Sequence, residues 1–355
     1  MPYRIEEKEG DSLIVLETPE WSGIIDLDAT GNLIRLTHRE TGMEIFRFPA
    51  SIAELHAAPA VYGIPLLLPP NRIRNGRFAI DGRQYMLPVN EKATNCHLHG
   101  LVLGRRWRLE YAKEADSVLR VQVSYLFDAS RREFAGFPHE FSANICYELS
   151  REGLKHVVRI ENLSSRPMPL GVGLHTAFST PADESVTVKV PHRTDGFWTV
   201  HSKRRLPTGK MTTWPLQDAA LLDGRLSVER MAFAHMFPLP ECGGRNALLH
   251  RRNGTVCYEF DSAFTHLACW NDGGNKGFFC VEPMSWMTDA PNLSLSPKTS
   301  GFAQLSAGES RVFCSTIRLF PQKFSKPEGN KQEMNGLNAK QLMDYVKTKI
   351  ENAKK

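Results

Sequence analysis

The stretch TNCHLHG, residues 94–100, sets His97 and His99 two positions apart with a glycine behind them. Residues i and i+2 of an extended chain share a face, so the two imidazoles can serve as metal ligands or as parts of an acid–base site, or be two ordinary strand histidines. Gly100 permits a turn or a close approach to another group. A metal centre needs at least a third ligand, often a carboxylate, and no compact set in the sequence supplies one. Three more positions combine a reactive side chain with an apolar run. His175 lies in GVGLHTAFST, Glu282 sits directly after the strand-like FFCV and before a proline, and Arg72 follows LLLPPN. Each has a plain alternative: a core histidine satisfied by a carbonyl, a carboxylate capping a strand end, an arginine holding two loops together.

One reaction among several would use these groups together, the opening and closure of a cyclic sugar hemiacetal. It needs a base for the anomeric hydroxyl proton and an acid for the ring oxygen as their bond breaks. A glutamate whose proton affinity is raised by burial and an imidazole near its usual titration range suit those two tasks. Neither a metal nor a redox cofactor is required, and none is expected.

The elements that must position these side chains read mostly as strands. In VLRVQVSYLF, residues 118–127, Leu119, Val121, Val123, Tyr125 and Phe127 alternate with polar or exposed positions, and Val186, Val188 and Val190 repeat the pattern in SVTVKV. ANICYEL, LKHVVRIEN and NKGFFCVEP are further strand candidates, separated by the turn signals IDGRQY, REGLK and RNGTV. Few segments before residue 320 read as long amphipathic helices, and the regular strand–helix alternation of a parallel α/β fold is missing. The predicted fold is therefore all-β, two large antiparallel sheets packed face to face over residues 1–320, with loops free to build a cleft. Residues 321–355 form a separate basic tail, in which Leu342, Val346 and Ile350 recur every fourth position and predict an amphipathic helix.

Composition narrows the function class. The net charge of +5 is mostly the tail's, with eight lysines against four acidic residues; the rest of the chain carries 36 basic and 35 acidic residues. No globally basic body is available for nucleic acid. No apolar run approaches the ~20 residues of a membrane span, and MPYRIEEKEG does not read as a secretory signal. The seven cysteines are scattered without a CxxC pair, so reduced thiols and a cytoplasmic setting are expected.

Read in order, YGIPLLLPPNRIRNGRF, IDGRQYMLPVNE, NCHLHG, FAGFPHEF, YELSREGL, PLGVGLHTAFS, LPTGK and VEPMSWMTDAPN resemble the aldose 1-epimerase, or galactose mutarotase, family over roughly residues 20–320. GFAQLSAGES, residues 301–310, also looks like the family's late G…L.PGE element. The resemblance implies a large antiparallel β-sandwich of the galactose mutarotase type and an open sugar cleft. It makes Glu282 the general base toward the anomeric hydroxyl, His175 the general acid toward the ring oxygen, and His99 a group that orients the sugar or assists proton transfer. Arg72 and its neighbour Asn71 are implied to bind sugar oxygens. His97 becomes a neighbour or secondary sugar contact, and Phe178 takes a place where the family often has tyrosine. One departure stands out: FAHMFPLP has Ala234 where the family usually carries a sugar-binding aspartate. His235 next to it substitutes only if the backbone turns it into the cleft. The implied activity is cofactor-independent exchange of α and β anomers of an aldose, on a monosaccharide or sugar derivative, by a monomer or homodimer. The alternatives are a non-catalytic carbohydrate-binding or regulatory protein on the same fold, and a metal-assisted enzyme built on His97 and His99.

Overall fold

The computed structural model describes residues 2–241 and 243–322. The expected all-β architecture is what these residues build. Antiparallel strands make a nine-stranded sheet whose spatial order is 108–115, 118–127, 141–150, 153–162, 310–321, 254–260, 246–251, 187–189 and 223–227. The predicted alternation is realised in Val118–Phe127, where Leu119, Val121, Val123, Tyr125 and Phe127 are all buried. At about 1.5–3 kcal/mol for each large apolar side chain removed from water, that single face contributes heavily to the core. The last strand, Ser310–Pro321, pairs with Gly153–Asn162 on one side and Gly254–Phe260 on the other, so the end of the described chain locks the two halves of the sheet together.

A six-stranded sheet packs across the core from it. Its order is 234–238, 266–270, 278–284, 173–174 and 66–67, with 176–179 also paired to 278–284. The two sheets meet through contacts such as Phe178 on Tyr258, ring centroids 5.3 Å apart, and a 2.9 Å hydrogen bond between Thr176 Oγ1 and Tyr258 Oη. A third sheet of five strands, residues 3–44, closes against the larger one. Tyr147 Oη donates to Gly31 O at 2.8 Å and accepts from Leu33 N at 3.2 Å.

Among the described residues helix is confined to short pieces, the longest being Leu216–Leu222. Among the described residues no helix is long and apolar enough to cross a membrane. The six described cysteines are all free. The amphipathic helix expected in the tail lies outside the described residues.

Candidate active site

The strand Phe278–Met284 runs through the middle of the six-stranded sheet and is buried along its whole length. Glu282 is therefore not a strand-end group, as FFCVEP suggests, but sits within the strand. Its register decides what it meets. Gly173 lies opposite Met284 and Thr176 opposite Val281, which brings His175 opposite Glu282. Pro283 has no N–H to donate, so the hydrogen-bond ladder is interrupted here while the side chains stay side by side. His175 Nε2 lies 3.3 Å from Glu282 Oε1, with both side chains 5% exposed or less. On the other flank Glu282 is opposite Ala268, and Ala268 is opposite Met236. One turn of the pleat further along, Cys280 is opposite Trp270 and Trp270 opposite Ala234. All residues of these two rows but Cys280 floor a cleft of about 860 Å³, within the usual size of ligand pockets.

The wall is built by the segments around Arg72 and His99. Cys96–Leu98 pairs with Arg72–Arg74, putting Leu98 opposite Arg72 and His97 opposite Ile73. The strand ends there. His99 adopts a left-handed backbone, φ 66°, and its N–H donates to Asn71 O at 3.1 Å. Gly100 follows at φ 88° and runs so close to Leu68 that a Cβ would lie 2.1 Å from its carbonyl oxygen. Together these turn the His99 ring onto His175, edge to face at 5.1 Å, and Trp270 meets His175 similarly at 5.9 Å. Arg72 is held by a two-pronged ion pair with Glu91, both contacts 2.6 Å. Asp289, in the loop after Glu282's strand, donates its N–H to Arg72 O at 2.9 Å and accepts from Arg74, tying wall to floor.

Burial sets the electrostatics. Removal from water pushes the Glu282 carboxyl up to about 8, although the Arg72 charge works against it. The same desolvation takes His175 down to about 4. His99 is driven well below its ordinary value by burial and by His175 beside it. Glu91 goes the other way: burial raises it, but the hydrogen bonds from Arg72 and Thr94 win and it stays below the usual carboxylate range. Between roughly pH 4 and 8 the Glu282–His175 pair thus holds one proton between two atoms in near contact. The Nδ1 atoms of His99 and His175 are buried without a hydrogen-bond partner, and such groups are costly unless something satisfies them.

Of the residues marked in the sequence, Asn71, Arg72, His99, His175, His235 and Glu282 line this cleft. Two do not. His97 shares its strand face with the core residue Ile73 and gives Nδ1 to Pro88 O at 2.7 Å. The i, i+2 rule that would align it with His99 fails because His99 has left the strand conformation. Phe178 is three positions from His175, so alternation turns it to the other face, into the core against Phe46 and Tyr258. His235 reaches only the cleft margin. It stands on the opposite face from Ala234 and Met236, is boxed by Phe197, Trp214 and Phe233, and pairs with Asp218 at 2.9 Å.

The metal reading changes partners as well. Among the described residues the nitrogen, sulfur and oxygen ligands close enough to share an ion are those of His175, Cys280 and Glu282, within 4.8 Å of one another, rather than His97 and His99. Burial and the nearby Glu282 hold the Cys280 thiol well above its normal range. A metal there would have to displace that proton and would occupy both members of the His–Glu pair. Trp270, Glu91 and Ala268 were not singled out by sequence reasoning. Trp270 and Ala268 take their places from strand register, which no local motif encodes, and Glu91 closes the stretch IDGRQYMLPVNE but gains its role only through its ion pair with Arg72.

A family model described as aldose 1-epimerase matches residues 31–317. A galactose mutarotase-like protein from Clostridium acetobutylicum is similar at 30% identity, with a TM-score of 0.85 over 90% of this chain and 99% of that one. A galactose 1-epimerase from Lactobacillus acidophilus NCFM shares the fold at 15% identity, with a TM-score of 0.67 over 90% of this chain and 97% of that one. A curated relative, the uncharacterized protein YihR of Escherichia coli (strain K12), is 29% identical over 124 residues. That match takes in 34% of this chain and 38% of the relative, well under half the length of either.

Proposed function

This chain belongs to the aldose 1-epimerase family, and from that premise we propose that it interconverts the α and β anomers of an aldose by opening and reclosing the sugar ring. The observation that carries this reading is the buried cross-strand pair of His175 and Glu282, 3.3 Å apart on the floor of a cleft that Arg72 and His99 also line.

The pair has one proton to move. In its carboxylate–imidazolium arrangement, Glu282 takes the proton of the anomeric hydroxyl while His175 gives one to the ring oxygen. Opening the ring leaves a neutral carboxylic acid, a neutral imidazole and an open-chain aldehyde. That neutral arrangement is the one that desolvation favours at this site with or without sugar, so the ion-paired form that starts the reaction is the minor one and burial draws it forward to the opened state. Rotation about the C1–C2 bond exposes the other face of the carbonyl. Closure then runs the two transfers backwards, with His175 taking the ring hydroxyl proton and Glu282 protonating the carbonyl oxygen. Protons gained and lost by the pair balance, so no exchange with solvent is needed within a turnover. Arg72, braced by Glu91, and the unpartnered imidazole nitrogen of His99 supply contacts to sugar oxygens.

Ala234 offers only a methyl group to the cleft, which favours the second reading, a sugar-binding protein without catalysis. The two separate cleanly. Freshly dissolved α- and β-aldoses, neutral and acidic, are mixed with protein and anomer exchange is followed by NMR or polarimetry. Accelerated exchange is expected. Saturable sugar binding with exchange at the uncatalysed rate would reject the enzyme.

A further inference from the structure

The hairpin Phe197–Val200/Pro207–Thr212 carries the sequence HSKRRL across its tip, residues 201–206. The tip is folded on itself by His201 N to Leu206 O at 2.9 Å and Arg205 N to His201 O at 2.8 Å. Arg204 anchors it to the cleft wall, donating Nη2 to Asn75 Oδ1 at 2.6 Å and Nε to Thr94 O at 3.3 Å. Ser202 and Arg205 thereby line the cleft beside Arg72. Ser202 also borders a second cavity of about 460 Å³, lined by Lys203 and Arg204 with Arg74 and His201.

The charges facing this region do not balance. Arg72 is neutralised by Glu91 and Arg74 by the buried Asp289. The His175–Glu282 pair carries no net charge while it holds one proton. Lys203 and Arg205 make no ion pair among the described residues; Glu91 lies within electrostatic reach of Arg205, but its carboxylate is held by Arg72. At Ala234, where a carboxylate would offset them, there is none.

Resting on the mutarotase reading above, we propose that the substrate is an aldose carrying an acidic exocyclic group, a phosphate, sulfonate or carboxylate, received in the cleft by Arg205 of the 201–206 tip, with Lys203 on the adjoining cavity adding to the positive field. The cleft volume lies toward the upper end of the ~300–1,000 Å³ common for ligand sites, which leaves room for such a group beside the ring. A guanidinium with free donors suits a multi-oxygen anion, and the flexible ammonium of Lys203, two residues away along the tip, adds charge without dictating geometry.

The test uses matched pairs: glucose and glucose 6-phosphate, galactose and galactose 6-phosphate, glucose and glucuronate, and glucose with its 6-deoxy-6-sulfonate. At low ionic strength kcat/KM for anomer exchange is expected to be at least about tenfold higher for the favoured acidic member, with the advantage shrinking as salt is added. In Arg205→Gln, and further in the double variant with Lys203→Gln, the ratio of acidic to neutral kcat/KM falls toward one. Phosphate, sulfonate and carboxylate are told apart by which pair shows the largest ratio. Equal kcat/KM for both members of every pair, or a ratio unmoved by the substitutions, overturns the proposal and leaves the mutarotase reading standing. Should no sugar be turned over, that reading falls instead, and calorimetric titration of the same pairs decides the anion. Preferential, salt-sensitive binding of glucose 6-phosphate that Arg205→Gln weakens supports the basic tip, and equal binding of glucose rejects it.

Discussion

Glu282 and His175 illustrate how one environment moves two groups in opposite directions. Desolvation penalises whichever form is charged, so it raises the carboxyl to about 8 and lowers the imidazole to about 4. The expected rate profile is bell-shaped, with limbs near those two values that belong to the pair rather than to either residue. Below the lower limb both groups are protonated and no base remains; above the upper limb the last proton is gone and no acid remains. Glu282→Gln should lower kcat about 10²–10⁴-fold and abolish the alkaline limb; a variant with near wild-type rate and the same two limbs would reject the assignment. Stability follows from the sign of the same shift. A carboxyl raised in the folded state contributes fully below its ordinary value of 4.5 and loses that contribution as pH climbs through about 8. Glu282→Gln, with no charge to bury, should therefore gain in Tm relative to the parent as pH rises from about 5 to 9, at about 2–4 °C per kcal/mol. The identity of these two residues was legible in GVGLHTAF and FFCVEP through family resemblance. Their contact was not, since it depends on a register between strands about a hundred positions apart.

At the scale of elements, the site is a product of alternation and of one place where alternation stops. The period-two signal in the sequence located Val118–Phe127 with its buried face correctly, because that face meets an apolar partner along its whole length. The same rule applied to CHLHG misplaced His97, because the strand ends at Leu98 and His99 takes a left-handed backbone. Counted from His175, the same rule turns Phe178 away from the cleft, since three steps along a strand reverse the face. The turn at His99–Gly100 is held by a close approach: Leu101 N donates to Leu68 O at 2.7 Å, over the hydrogen that Gly100 has in place of a side chain. Gly100→Ala sets a methyl group 2.1 Å from that oxygen, in a backbone region that costs an L-residue roughly 1–2 kcal/mol before any clash. Expected are a loss of at least about 2 kcal/mol in stability and a fall in kcat/KM of at least about tenfold as His99 moves off His175. Chemical denaturation and anomer-exchange kinetics on the same preparation check both; a variant unchanged in each would show that the tight turn does not hold His99 in place.

For the whole molecule the question is whether the cleft and the N-terminal sheet share one fate. The family match starts at residue 31, so the strands Tyr3–Lys8, Asp11–Glu17 and Trp21–Asp26 lie before it, and an appended sheet that melts by itself is a natural alternative. Two features argue for a single unit. Ile14, Leu16 and Trp21 belong to the same contiguous core as Val121, Tyr147 and Phe178, so separating the sheet would expose the nine-stranded layer to water. Tyr147 also pins the sheet from within that layer, giving its proton to Gly31 O and receiving one from Leu33 N, with the ring fully buried. No sequence pattern announced this link, because Tyr147 reads simply as one more inward residue of an alternating strand. Removing the hydroxyl in Tyr147→Phe leaves a buried carbonyl and a buried amide each without that partner, a loss of about 1–3 kcal/mol for such groups. If the three sheets unfold together, thermal melting followed by far-ultraviolet dichroism and by anomer-exchange activity should give one coincident transition in parent and variant, displaced downward by several degrees. A separate early transition in the variant, during which activity survives, would mean that residues 3–26 are a removable cover and that the site stands on the other two sheets alone.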